Sequence, residues 1–242
     1  MKVAMIYGGE SRFKRYLELN YKRLQNYSEV HLYFCLWNNF EYTDMNLNFS
    51  DIESNNVIKK INHILPKKFY LKNLVEIEKP DISEKSKEIK NILLKSNEHF
   101  FQPDIDGYIE RLLFQRYSLY ECFKLLKEEY DCIIRYRIDG YPTKRIDLRE
   151  LNLSEYVYSP NNMRQGISDF YPRLNDQFAI GNQNKMEIYC NSYEYIEDYI
   201  KKDAKNGQFE TSLSCHLTEN NVKIKTDNFS YHLIREETGF IL

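Results

Sequence analysis

An α/β domain with a mainly parallel central sheet flanked by helices is the fold class this sequence predicts, and three observations predict it. The chain opens as strand, glycine turn, helix, strand. A long amphipathic segment at 105–129 runs directly into an apolar stretch at Cys132–Ile134. Short apolar runs and helical stretches then alternate through the rest of the sequence. A right-handed crossover sets the ends of the first two strands on the side of the glycine turn. Ligands of such sheets bind beyond the carboxyl ends of the strands.

Taken in order, Val3–Tyr7 is the first apolar run, ended by Gly8 and Gly9, with Ser11 able to cap the next helix. Phe13, Tyr16, Leu17, Leu24 and Tyr27 recur near helical spacing, and Val30–Trp37 (VHLYFCLW) reads as the second buried strand. Residues 41–56 are polar and irregular, and 57–65 suit a short helix stopped by Pro66. Residues 67–104 mix charges with few firm signals, so a single domain over 1–242 is expected to carry an insertion at 41–104. In the long helix, Ile109, Leu112, Leu113, Leu119, Tyr120 and Phe123 lie on a broad apolar face. Tyr156–Ser159 is a strand closed by Pro160, and 161–175 has loop composition. Phe178–Ile180 is a brief strand between Asp176 and Gly181. Met186–Tyr199 reads as one helix and Phe209–Leu217 as another, with late strands at Val222–Lys225 and Tyr231–Arg235.

Composition narrows the function classes. With 34 basic against 36 acidic residues and no dominant block of cations, a nucleic-acid backbone is not the expected partner. The absence of an 18-residue apolar run excludes a transmembrane helix, and the apolar segment of MKVAMIYGGES is too short for a signal peptide. The five cysteines are scattered and odd in number, which argues against a disulfide framework and for a reducing, cytoplasmic setting. Twenty-one tyrosines suit polar clefts, where a ring packs and its hydroxyl bonds, although AT-rich coding bias yields the same excess.

The segment Tyr130–Asp147 (YDCIIRYRIDGYPTKRID) says most about chemistry. Arg135, Arg137 and Asp139 alternate along a strand and so turn to one side, until Gly140 and Pro142 stop it. Two cations and a carboxylate together are costly to bury without a partner. A diphosphate carried on a divalent cation satisfies all three, the carboxylate holding the ion and the guanidinium groups meeting phosphate oxygens. A plain Arg–Asp pair at a strand end satisfies them too, and one carboxylate is a thin donor set for Mg2+ or Mn2+.

Other candidates are single residues with two readings each. Gly8 and Gly9 allow close approach of a ligand to backbone amides, with Arg12 in reach of a phosphate or ribose, or they make an ordinary tight turn. The segment is neither GxGxxG nor a Walker loop, which takes weight from dinucleotide hydride transfer and P-loop hydrolysis. Asp176, before an apolar strand, suits a general base or the cap of a turn. Glu210, near a helix start, is a second acid–base candidate or a partner of the helix dipole. In YHLIR, His232 is a late metal or phosphate contact or a structural histidine, and Arg235 a phosphate contact. No HExxH, Cys/His zinc pattern or GxSxG occurs.

In their order along the chain these segments resemble bacterial or viral polysaccharide-biosynthesis glycosyltransferases of the nucleotide-diphospho-sugar transferase (GT-A) fold. The likeness is best over 1–37 and 105–235. It rests on Gly8, Gly9 and Arg12 after the first strand, on Phe34 and Trp37 in the second, and on the Gln115–Leu126 helix. It rests further on Tyr130–Asp139 as a YDxIIRxRxD segment, on Asn175–Gly181 with Met186 and Tyr189 as an NDxFAxG segment, on Glu210, and on Tyr231–Arg235. One departure stands out. Where such proteins carry Asp-any-Asp, this chain has Arg137, Ile138 and Asp139, so the first carboxylate is an arginine.

The resemblance implies a single GT-A-like domain that transfers a sugar from a nucleotide-diphospho-sugar donor to a saccharide acceptor hydroxyl. It implies Mn2+ or Mg2+ on Asp139 with His232, donor contacts from Gly8, Gly9, Arg12, Arg135, Arg137 and Arg235, and Asp176, then Glu210, as the base. Two other readings stand beside it: a nucleotide-sugar-binding protein without catalysis, and a scaffold in a polysaccharide-making complex. A phosphate-ester hydrolase is weaker still, for want of a carboxylate cluster for two metals.

Overall fold

The computed structural model describes residues 1–9, 22–37, 62–63, 65–96, 104–137, 140–160, 174, 176–202, 209–227 and 231–233, with backbone alone at 96, 209–210, 227 and 232–233. Its elements in chain order are β1 (Lys2–Gly9), β2 (Leu24–Gln25), β3 (Glu29–Trp37), β4 (Phe69–Ile77), α1 (Ser83–Ser96), α2 (Ile105–Lys124), β5 (Cys132–Tyr136), β6 (Gly140–Pro142) and β7 (Ile146–Asp147). After these come β8 (Tyr156–Pro160), β9 (Phe178–Gly181), α3 (Gln183–Cys190), α4 (Ile196–Lys202), α5 (Phe209–Glu219), β10 (Lys223–Asp227) and β11 (Tyr231–Leu233).

Seven strands form one mixed sheet in the order β10-β8-β9-β5-β1-β3-β4. β1 pairs in parallel with β3 on one side and β5 on the other, and β3 in parallel with β4. β9 runs antiparallel to both β5 and β8, and β10 is parallel to β8. The mainly parallel α/β reading therefore holds, with β9 as the reversed strand. The chain steps outward from β1 through β3 to β4 and then returns to the other side of β1 as β5. The order reverses between β1 and β5, and the carboxyl ends of these two strands are where an open sheet of this kind leaves a crevice.

Apolar side chains alternate across the sheet and fill both faces. Val3, Met5 and Tyr7 join Leu32, Phe34, Ile134 and Tyr136 on one face. Ala4 and Ile6 join Tyr33, Cys35 and Ile133 on the other, under Leu119 and Cys122 of α2 and Tyr189 of α3. A third cluster ties α1, α2 and α4 together through Ile89, Leu93, Ile109, Leu113, Ile196 and Ile200. At the lower rim His31, 3% exposed, bonds the Tyr130 hydroxyl through Nδ1 at 2.7 Å, and that hydroxyl also bonds Tyr33.

Aromatic rings floor the upper rim. Tyr7 stacks on Phe34 at 4.5 Å, Tyr136 meets Phe178 edge-on at 4.8 Å, and Tyr231 lies 5.3 Å from Phe178. β11 pairs antiparallel with β6, Leu233 opposite Gly140 and His232 opposite Tyr141. Tyr231 packs against the Cα of Gly140 and donates its hydroxyl proton to the Arg137 carbonyl at 2.6 Å.

Several expectations are corrected. Gly8 and Gly9 do not follow the first strand but complete it, pairing with Cys35 and Leu36. A Cβ on Gly8 would lie 2.8 Å from the Ser118 carbonyl carbon, so glycine is needed to bring α2 against the strand. Gly9 has φ +119°, which turns the chain out of the sheet. Leu24 belongs to β2, paired with Ile146 of β7, rather than to a helical face. The 67–104 segment supplies the edge strand β4 and helix α1. β4 escapes a period-2 reading because a bulge shifts its register, so that Phe69 and Leu71 are followed inward by Leu74. The helix expected over Met186–Tyr199 is broken: α3 ends at Cys190, a 3-10 turn spans Asn191–Tyr193, and α4 begins at Ile196. The break sends Tyr189 into the sheet core and Tyr193 into the α1–α2–α4 cluster.

Gly8→Ala should destabilise the protein by about 1–3 kcal/mol, because the new methyl meets backbone rather than a movable side chain. Urea unfolding followed by circular dichroism measures this, and an unchanged midpoint would mean that α2 does not rest on Gly8.

Candidate functional site

The register brings three chain segments to one rim. Tyr7 pairs with Tyr136, and Tyr136 with Phe178 of the reversed β9. The end of β1 (Gly8, Gly9), the residue after β5 (Arg137) and the turn before β9 (Asp176, Gln177) therefore lie side by side. Helix α2 crosses the same rim, its Ser118 against Gly8.

Asp176 is the centre of the cluster. Its Oδ2 accepts a hydrogen bond from Gln115 Nε2 at 3.0 Å and faces Arg116 Nη2 at 3.6 Å. Its backbone carbonyl accepts from the Tyr189 hydroxyl at 3.3 Å. Asp176 is 18% exposed and Arg116 only 2%, so the pair spans the boundary between interior and surface. The Arg116 guanidinium also lies 6.0 Å over the Tyr189 ring, a cation–π contact within the wall.

Arg135, 1% exposed, is the largest surprise among the candidates. It points into the protein beneath the rim, where Nη1 donates to the Gln177 carbonyl and so holds the turn that carries Asp176. Burial lowers its pKa, while Tyr189 and Asp176 oppose that shift. Two buried guanidinium groups thus share one carboxylate among the described residues. The excess positive charge lies where the topology opens a crevice.

Arg137 is half-buried at the mouth, its carbonyl fixed by Tyr231. Arg12, Asp139 and Arg235 lie outside the described residues, and the side chains of Glu210 and His232 do too, although their backbones belong to α5 and β11. Among the described residues no three His, Cys, Asp or Glu side chains are placed to hold a metal ion. The register sets Leu233 opposite Gly140 and the backbone of His232 opposite Tyr141.

Arg116 was not among the sequence candidates, although a signal for it exists. It falls on the stripe of Ile109, Leu112, Leu113 and Leu119, where a cation on the buried face of a helix calls for a partner. His216 of α5 is the same kind of residue. It is 2% exposed, and its Nε2 lies 2.7 Å from the Ile188 carbonyl. Burial is the first cause of its lowered pKa, with Arg116 adding to it against the Ile188 bond. A groove of about 610 Å3 lined by Tyr120, Lys124, Gln183, Glu187 and Tyr195 is at the lower rim, where Gln183 accepts from the Tyr130 amide, and so lies away from this cluster.

The two buried histidines give a pH signature. His31 is also held below its ordinary pKa of 6.5, by burial and then Lys72, against the pull of Glu29 and Glu128. Below that value the unfolded chain takes up protons that the native state refuses, so stability is complete above about pH 6.5 and falls as pH drops toward the lowered native values. Urea midpoints at about pH 7.5 and 5.5, a window above most carboxylate titration, should differ in that direction. Replacing His31 and His216 by Gln should flatten the difference, and equal midpoints in the unaltered protein would contradict the burial of neutral imidazoles.

Comparison with known proteins yields a family and distant structural likenesses. No curated protein matches the chain. Among solved structures, the crystal structure of mouse xyloside xylosyltransferase 1, apo form, is similar at 9% identity and a TM-score of 0.43, over 94% of this chain and 85% of that one. A domain family of unknown function matches residues 111–238, more than half of the 242 residues, and takes in Gln115, Arg116, Arg135, Asp176 and His216. The chain belongs to that family, DUF7796.

Proposed function

We propose that the protein is a glycosyltransferase that moves a sugar from a nucleotide-diphospho-sugar to a saccharide hydroxyl in polysaccharide or glycan synthesis. The observation that carries this reading is the excess of buried guanidinium over carboxylate at the β1–β5 switch point. A ligand bearing several negative charges is what such a field favours. Of the segments that resemble nucleotide-diphospho-sugar transferases, the described parts at Gly8–Gly9, Arg137 and Asp176–Gln177 lie along that rim. Five buried thiols suit a reducing compartment, the cytoplasm.

In this reading the backbone at Gly8 and Gly9 lets the donor lie close to the sheet edge. Arg137, Arg12 and Arg235 meet diphosphate oxygens, and Arg135 acts from below by holding the Asp176–Gln177 turn. Asp139 with His232 would hold Mn2+ or Mg2+, and the ion, when bound, supplies charge neutralisation at the leaving diphosphate. Both contacts of Asp176 fall on Oδ2, so Oδ1 is the oxygen that faces an acceptor hydroxyl. The acceptor oxygen bonds to the anomeric carbon, the bond from that carbon to the diphosphate breaks, and the acceptor proton passes to Oδ1. Glu210 is the alternative base. The arginine at position 137, where the transferases it resembles carry a carboxylate, favours a second reading, a donor-binding protein without turnover.

A thermal-shift screen of UDP-, GDP-, CMP- and dTDP-sugars, with and without Mn2+, tests donor binding. One nucleotide class should raise the melting temperature by mass action. A blank across all donors with folded protein would remove both readings. With the donor in hand, Asp176→Asn should lower turnover about 100-fold or more while donor affinity changes little. Unchanged turnover would pass the role to Glu210, and sugar binding without any turnover in the unaltered protein would select the non-catalytic reading.

A further inference from the structure

Beside Arg116 the helices line a small pocket of about 10 Å3, bordered by Arg116, Ser192, Tyr199, Ser212 and His216 together with the apolar Ile196 and Leu213. That is the room one water occupies. Arg116 and His216 are each 2% exposed and Ser192 is 5% exposed. Among the described residues, Arg116 Nη1 and Nη2, Ser192 Oγ and His216 Nδ1 have no hydrogen-bond partner in the protein. Because Nη2 already faces Asp176, Arg116 Nη1, Ser192 Oγ and His216 Nδ1 are the buried polar atoms that call for a common partner here, each costing about 1–3 kcal/mol if left unmet.

The tautomer of His216 identifies that partner. Nε2 lies 2.7 Å from the Ile188 carbonyl, which can only accept, so Nε2 carries the proton and Nδ1 of the neutral ring offers a lone pair. The ring is fixed in this orientation by Tyr199, edge-on at 4.5 Å, and Tyr195, stacked at 5.8 Å. Arg116 only donates, and Nδ1 only accepts. A halide would satisfy Arg116 and Ser192 but repel the Nδ1 lone pair. A water accepts from the guanidinium and donates to Nδ1, and so satisfies both.

We infer that one buried water bridges Arg116 to His216 and Ser192, and that His216 is thereby a positioning residue for Asp176 at the proposed active site. The positioning role rests on the transferase reading, whereas the bridge itself does not. The chain of contacts runs His216, water, Arg116, Asp176, and ties α5 to the rim without touching the cleft.

Bridge and positioning role are tested separately. In arginine side-chain NMR of the full chain, the Arg116 Hη protons should be resolved and show cross-relaxation to a long-lived water. His216→Phe should abolish that cross-peak and shift the Gln115 side-chain amide, which donates to Asp176. His216→Asn, which keeps an acceptor near the Nδ1 position, should restore the cross-peak. Ser192→Ala, a smaller change to the same cavity, should shorten the water's residence, and it decides the matter if His216→Phe does not fold by circular dichroism. With an identified donor, His216→Phe should lower kcat about tenfold with KM little changed, as expected for a displaced rather than removed base. No cross-peak in the unaltered protein, or one untouched by both the His216→Phe and Ser192→Ala changes, overturns the bridge. A normal kcat in His216→Phe with the cross-peak lost overturns the positioning role. A cross-peak present in a protein that turns over no nucleotide-sugar leaves the bridge standing and removes the transferase reading instead.

Discussion

Burial of β1 on every side is the constraint on which the rest depends. Val3 to Ile6 have no exposure and Tyr7 only 1%, with parallel partners on both edges and side chains packed above and below. A strand so enclosed has no polar work to do along its length, and function is pushed to its ends. At the carboxyl end the requirement becomes steric. Gly8 lets α2 descend onto the strand, with Ser118 against it. The turn of that helix just before Ser118 carries Gln115 and Arg116 to the place where β5 and β9 finish their pairing. Close approach at Gly8 and the chemistry at Asp176 are therefore one arrangement.

Charge at this rim is held in the wall rather than on the surface. An isolated buried guanidinium is expensive, and an ion pair offsets the cost only when its geometry is good and its other protons are met. Arg116 has a carboxylate at 3.6 Å and an aromatic face, and Arg135 has the Gln177 carbonyl and the field of Asp176. Neither is neutralised in full by described residues. A folded domain gains no stability from such an excess that well-packed apolar residues would not give equally.

Long, strongly patterned elements were legible in the sequence. β1, β3, β5, α2 and α5 were all readable from apolar runs or helical period, whereas the Asp139 side of the cleft expected beside Gly8 lies outside the described residues. What escaped was whatever depended on a partner. β4 hides its strand character behind a bulge, and its exposed Tyr70 and Lys72 make sense only on an edge. α1 has Ile89 and Leu93 as its buried residues in a charged stretch, and it forms because α2 and α4 offer a face to receive them. Arg135, Arg137 and Asp139 were read as one side of a strand, but β5 ends at Tyr136, before Arg137, and Arg135 is still interior. Asp176 was found by its place before a strand, whereas its holder Arg116 was passed over on a stripe of leucines.

The family match sharpens what must fold together. It begins at residue 111, inside α2, and so includes the whole charge cluster while excluding β1, β3 and β4. Taken alone, that segment would leave β5 as an open edge with Cys132, Ile133 and Ile134, all without exposure in the intact chain, stripped of their β1 partners. Leu119 and Cys122 of α2 would likewise lose Ala4, Ile6 and Cys35, the side chains they cover. The matched region therefore carries the groups that define the site but not the sheet that supports them. The opening strands and the matched region share one sheet, and they meet along the seam between β1 and β5.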